Sequence, residues 1–341
     1  MIRSRYTLTA LAALGLLFDA ACAGGGIRNQ ELPASPIAVL HLTGEEARRR
    51  AEILQDANGK GPGSPAGFFR MSDVKKLLGK DVSAEFADLS GHLSFLDPRT
   101  TEIKGVEAAP KGAEPIAYSA DRTQLLFRVK RGETMQLMLF DIRRNSLQAL
   151  TPPDVFATAG SLASDGRLVY SAIRIAGSVP SMRLFLQSPG AGAPRPLTGG
   201  PADGNPVFSP DGSEVVFVGH TKEGADEIVR LDPREDDPAM HLLARGRDPV
   251  FAPDGTWIVY SAEVGREHHL WKMRPDGSGR LPVGSPSSET KDELHPAVSP
   301  DGNFVAYVSQ LEGRSYLRIR RMDGTGDRAL LDEGDAAWPV W

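Results

Sequence analysis

A turn of the type Ser-Pro-Asp-Gly recurs in this chain at a nearly constant interval, and that interval restricts the fold more than any other property. Asn-Pro-Val-Phe-Ser-Pro-Asp-Gly at 205–212, Asp-Pro-Val-Phe-Ala-Pro-Asp-Gly at 248–255 and His-Pro-Ala-Val-Ser-Pro-Asp-Gly at 295–302 superpose without gaps. The terminal Trp-Pro-Val-Trp at 338–341 begins a further copy, and 115–121 and 159–166 are weaker ones. The apolar residue three places before the Asp falls at Tyr118, Leu162, Phe208, Phe251, Val298 and, by alignment, Trp341, which makes six copies of a period of about 45 residues. Pro sets φ near −65° at the first corner, Asp suits the second, and Gly takes the positive φ that lets the chain reverse.

Each turn leads into a β run (125–129, 168–171, 215–218, 257–260, 304–308), a polar loop and another strand (136–140, 182–186, 227–231, 269–273, 316–320), then a weaker fourth. Four short strands per 40–50 residues define a propeller blade. The third-strand pattern also occurs at Leu96-Asp97 with no first strand before it, whereas the copy at 338–341 has nothing after it. The halves are complementary. The C-terminal strand is expected beside N-terminal strands drawn from about 82–108, closing an all-β, six-bladed propeller over 82–341 and removing the open sheet edge. Much of the content of 36 Gly and 26 Pro is the punctuation of these blades.

The repeats resemble the TolB-like propeller repeats of bacterial envelope proteins, over about residues 82–341; similar repeats occur in prolyl-oligopeptidase-type enzymes. The resemblance implies a docking platform for envelope proteins or peptide segments, in envelope integrity or assembly. It implies no cofactor. A prolyl-oligopeptidase-type enzyme needs a further hydrolase domain with a Gly-x-Ser-x-Gly elbow, and the chain has none. Ser278, in Asp-Gly-Ser-Gly, reads as a loop between outer strands.

The first 21 residues carry Arg3 and Arg5, a short apolar stretch over 8–18 and then Asp19-Ala20-Ala21-Cys22, the layout of an export signal. The apolar stretch is too short to span a bilayer core, which needs about 20 residues. The segment resembles a bacterial lipoprotein signal with acylation of Cys22, the sole cysteine, although Asp19 stands where that family usually has Leu. Ala23 favours the outer membrane by lipoprotein sorting analogy. Residues 22–35 then read as a flexible tether, and 36–81 as a small strand–helix element packed on the main body. In that element 36–42 is a strand, Thr43-x-x-Glu46 a capping box, the helix runs to about Asp56, and a second short helix covers 74–78. A net charge of −5 argues against nucleic-acid binding.

Candidate functional residues lie at the start of each innermost strand, where propeller strands ring the channel mouth: Glu114 (offset by one), Asn205, Asp248, His295 and Trp338, with only Ala159 in the third copy. They read either as turn caps before Pro or as a polar, partly acidic funnel for a peptide segment, an ion or a small ligand. On the funnel reading, alanine at Asp248 and His295 weakens partner capture without lowering thermal stability. A calcium-dependent, lactonase-like hydrolase is the alternative, with Glu114, Asn205 and Asp248 as the available ligand types. The adjacent His268 and His269 point to opposite faces of a strand and are read as an exposed strand start; Asp232–Asp237 reads as solvated surface.

Overall fold

The computed structural model describes residues 26–43, 45–46, 91–132, 134–176, 179–221, 224–284, 292–311, 314–331 and 336–341. The described strands form six four-stranded antiparallel sheets. Blade 1 comprises Glu114–Tyr118, Gln124–Arg131, Thr134–Asp141 and Ser146–Ala149, and blade 2 Phe156–Leu162, Leu168–Ala176, Val179–Gln187 and Arg195–Pro196. Blade 3 comprises Gly204–Phe208, Val215–His220, Asp226–Leu231 and His241–Arg245, and blade 4 Arg247–Phe251, Ile258–Val264, Glu267–Met273 and Leu281–Pro282. Blade 5 comprises Glu293–Val298, Phe304–Leu311, Arg314–Arg321 and Asp327–Ala329. The first strand of each blade is innermost, and neighbouring inner strands touch around the full circle. The molecule is a six-bladed β-propeller.

The closing blade has the order Ala336–Val340, Ile37–His41, His92–Leu96, Ile103–Gly105. The C-terminal strand does close the ring, but its partner is not drawn from 82–108. Ile37–His41, expected in a separate element, pairs with Ala336–Val340 on one side and with His92–Leu96 on the other. It is a strand of the propeller. The reason is burial: Ile37, Ala38, Val39 and Leu40 are all fully buried, which only a sheet covered on both faces allows. The capping box does form, with Glu46 accepting from the Thr43 backbone (2.9 Å) and Thr43 Oγ1 accepting from the Glu46 backbone (3.3 Å). The rest of that helix, the helix over 74–78, Cys22 and the export signal lie outside the described residues.

Six apolar clusters fill the six blade interfaces. Side chains alternate along a strand, so Val215 and Phe217 pack toward blade 2 while Val216, between them, packs toward blade 4. Likewise Leu125, Phe127 and Val129 face the closing blade and Leu126 faces blade 2. Continuous apolar runs are therefore required in the middle strands. One interface also holds a buried ion network. Arg320, 3% exposed, bonds Glu293 (2.6 Å) and Tyr307 (2.9 Å) within blade 5 and donates to the carbonyl of Val283 (2.7 Å) from blade 4.

Each innermost strand runs from the channel mouth to what we call the turn end. There, Gly212, Gly255 and Gly302 have φ of 71°, 71° and 73°, as the Ser-Pro-Asp-Gly turns require. In blade 1 Arg122 occupies that corner with φ 56°. The turn Ser closes the structure: Ser209 Oγ donates to Asp211 (2.6 Å) and accepts from the Glu214 backbone (2.9 Å). Hydrogen bonds from Ser209 and from the Ser213 backbone and hydroxyl hold the Asp211 carboxyl at about 2.

Residues 27–36 are seated across the turn end instead of forming a free tether. Ile27 and Leu32 are buried in the cluster between blade 5 and the closing blade. Glu31 bonds Arg321 (2.6 Å), Arg99 donates to the Leu32 carbonyl (2.6 Å), and Trp341 Nε1 donates to the Ser35 carbonyl (2.9 Å).

Because Ile37 is fully buried at the blade 5 interface, Ile37→Ala should destabilise the whole propeller by about 2–5 kcal/mol in a single urea transition. A separate low-stability transition, or no change, would place the strand outside the ring.

Candidate functional site

The inner strands begin with a shared backbone device. Asn205, Asp248, His295 and Trp338 all have positive φ, at 48°, 53°, 52° and 54°. Each precedes a proline, and each coincides with a shift in strand register. Proline cannot donate to the sheet ladder, and its ring disfavours the right-handed α region in the residue before it, so the ladder breaks there as a β-bulge. Holding a non-glycine residue in this region costs about 1–3 kcal/mol. Asn, Asp and His are enriched there among non-glycine residues, whereas a residue as bulky as Trp is an outlier.

These residues meet side chain to side chain across the blades. Asn205 Nδ2 of blade 3 donates to Asp248 Oδ1 of blade 4 (3.4 Å). Asp248 Oδ2 accepts from the backbone of His295 in blade 5 (3.3 Å) and lies 3.2 Å from His295 Nδ1. The His295 ring packs on Trp338 of the closing blade, centroids 4.1 Å apart at 45°. The Arg128 guanidinium of blade 1 sits 4.8 Å from the centre of the Trp338 ring. Arg128 is fixed by Glu114 (2.5 Å) and donates to the carbonyl of Thr158 in blade 2 (2.5 Å). The chain of contacts visits all six blades. The remaining boundary, between blades 2 and 3, is bridged deeper in by Ser161 Oγ, which accepts from the Phe208 backbone (3.1 Å).

All five expected mouth residues thus belong to one contact set. Arg128 and Thr158 were not foreseen. Arg128 carries a signal in retrospect, as the one charge inside Leu-Leu-Phe-Arg-Val at 125–129, directly across the ladder from Glu114. The Trp338 indole Nε1 is buried and has no hydrogen-bond partner among the described residues. Burial by itself would raise the Asp248 carboxyl, but the charge of His295, with Arg247 behind it, holds it well below the usual carboxylate range.

The same geometry revises two expectations. Glu114 is ion-paired with Arg128 and Asp248 with His295, so Glu114, Asn205 and Asp248 do not form a free ligand set. No three metal-ligating side chains converge among the described residues. Alanine at Asp248 or His295 is also no longer expected to spare stability, since the Asp248 side chain is 7% exposed and its partner 14%.

Other histidines acquire partners: His220, isolated in sequence, with Asp226 (2.8 Å), and the adjacent His268 and His269 with Asp292 (3.0 Å) and Glu293 (3.8 Å). His269 is buried, not an exposed strand start. Of the stretch Asp232–Asp237, residues 234–237 are exposed as expected, whereas Asp232 is half-buried and Pro233 is buried. A groove of about 680 Å³ lies at the turn end between blades 4 and 5, far from the mouth. Its charged groups are already engaged: Arg321 by Glu31, Lys272 by the Met322 carbonyl, and Asp254, Asp301 and Asp323 by their own turns.

No family model and no curated protein sequence matches the chain. Solved structures match it in fold. It is similar to TolB from Acinetobacter baumannii, with a TM-score of 0.64 and 16% identity over 90% of this chain and 66% of that one. It is also similar to a protein assigned as TolB from Agrobacterium tumefaciens, with a TM-score of 0.58 and 20% identity over 70% of this chain and 88% of that one. Kuenenia stuttgartiensis hydrazine synthase shares the fold at a TM-score of 0.62 and 11% identity, over 91% and 47% of the respective chains. What these likenesses show is a six-bladed propeller of TolB-like architecture.

Two outcomes test the Asp248–His295 pair. His295→Ala removes the side chain packed against the buried Asp248 carboxylate and should cost about 1–3 kcal/mol in urea unfolding. The folded pKa of Asp248 is depressed, so its contribution is complete above the unfolded value of about 3.9 and drains away as pH falls through it. Between pH 6 and pH 3 the native chain should therefore lose stability faster than Asp248→Asn; parallel profiles would show that the pair contributes nothing.

Proposed function

We propose that this chain is a non-enzymatic, lipid-anchored protein of the bacterial cell envelope. On this reading its propeller mouth docks a protein or peptide segment, in envelope integrity or assembly. The observation that carries it is the contact set joining six blades at the mouth, built on strained backbone at four non-glycine positions. Strain of this kind persists where the surroundings over-determine it, and it concentrates at functional sites. The set offers a partner the exposed amide of Asn205, an imidazole edge and aromatic surface, all on a rigid frame. Both mouth carboxylates are already engaged, Glu114 by Arg128 and Asp248 by Asn205 and His295, which suits recognition better than acid–base work. The name TolB on two structural neighbours favours an envelope setting, and the lipoprotein-like segment ending at Cys22 favours acylation there. A multiply acylated cysteine would hold the protein firmly, at about 0.8 kcal/mol per buried CH₂.

Site-specific photocrosslinking in cells tests the docking surface. A photoreactive residue at 205, on the mouth, should yield a defined protein adduct that is lost in Trp338→Ala. The same residue at 256, on the turn end, should not. Equal adducts from both positions, or none from 205, would remove the mouth as the docking site.

A further inference from the structure

The seated segment 27–36 determines which way an anchored propeller faces. We infer that the lipid anchor joins the molecule at the turn end, so that the channel mouth points away from the membrane that holds it. This inference rests on the acylation of Cys22 proposed above.

Every contact of the seated segment lies at the turn end. Ile27, 6% exposed, packs so closely that a Cβ on Gly326, beyond the third strand of blade 5, would lie 3.2 Å from Ile27 Cγ1. Glu31 is bonded by Arg28 (2.6 Å) and by Arg321 (2.6 Å), the last residue of that third strand. These hydrogen bonds, Arg28 first, hold the Glu31 carboxyl at about 2. Arg99, whose guanidinium binds the Leu32 carbonyl, follows the third strand of the closing blade. Trp341 and Tyr118, which bond the carbonyls of Ser35 (2.9 Å) and Pro36 (3.4 Å), end or follow innermost strands.

From Pro36 the chain passes directly into the buried strand Ile37–His41, which runs toward the mouth. No slack remains between Ile27 and the propeller body. Cys22 is five residues before Ile27, a reach of at most about 18 Å. The turn end is therefore confined close to the lipid headgroups. The mouth stands off by a further strand length, ~17 Å for five residues. A partner that docks at the mouth accordingly approaches from the aqueous side, not from within the anchoring bilayer.

Energy transfer in vesicles tests the orientation. The lipidated full chain is placed in phosphatidylethanolamine–phosphatidylglycerol vesicles carrying a headgroup-linked acceptor. A donor dye is attached through an azide-bearing residue at exposed position 303, on the turn end, or 131, at the mouth end of its strand. Transfer should be severalfold stronger from 303 than from 131. In Ile27→Asp, which unseats the segment, the two should become equal while vesicle flotation and cooperative thermal unfolding persist. Equal transfer in the unaltered chain, or stronger transfer from 131, overturns the inference. The anchor reading fails separately, if Cys22→Ser floats as well as the native chain or the N-terminal peptide lacks acyl mass. In that event the mature chain, coupled through the Cys22 thiol to a maleimide phospholipid, reads the orientation in the same assay.

Discussion

Pairing between the two ends of the chain is the interaction on which the rest of this structure depends. Ala336–Val340 lies innermost in a blade whose other three strands come from the N-terminal part, and its immediate partner is Ile37–His41. With one cysteine in the whole sequence, no internal disulfide can secure that seam. It is held by the antiparallel ladder and by apolar packing on both faces. Ile37 and Val39 are packed with blade 5 residues such as Phe304 and Ile319, while Ala38 packs with blade 1 residues such as Phe127. The seated segment before Ile37 adds Leu32 to the same cluster.

The mouth inherits its geometry from that closure. Trp338 belongs to the closing strand, and it stands between His295 of blade 5 and Arg128 of blade 1. If the seam opened, the contact set would lose the member that joins its two arms. The strained backbone at the four pre-proline residues is sustained by the same arrangement. Each bulge turns a side chain toward its neighbours, and the hydrogen bonds that Asp248 accepts from Asn205 and from the His295 backbone offset part of the cost. Ring closure and the geometry of the mouth are coupled here through single residues.

Much of this was legible in the sequence, because a repeat reports itself. Pro, Asp and Gly recur where the turn geometry needs them, so the period, the blade number and the positions at the mouth followed from spacing. The strand Ile37–His41 was harder to place. It is separated from its next partner, His92–Leu96, by some fifty residues in place of a tight turn, and nothing local indicates which sheet it joins. Arg128 was missed because pairing to Glu114 depends on ladder register, which an apolar run does not specify. The histidine partners were invisible for the same reason: Asp292 and Glu293 lie more than twenty residues from His268 and His269 and meet them only across a blade boundary. The seated segment looked like a linker, since its Gly-rich start and polar composition masked the two residues, Ile27 and Leu32, that fix it.

Native-state amide hydrogen exchange at Ile37–His41 tests the central claim, that the chain ends close the ring, most directly. If the ends close the ring, the amides of Val39 and Leu40 exchange as slowly as those of Val216 and Phe217, in a strand at the middle of blade 3. Their protection should disappear when 336–341 are removed. Exchange of 37–41 on the timescale of an open loop, or protection unchanged by that truncation, would contradict it.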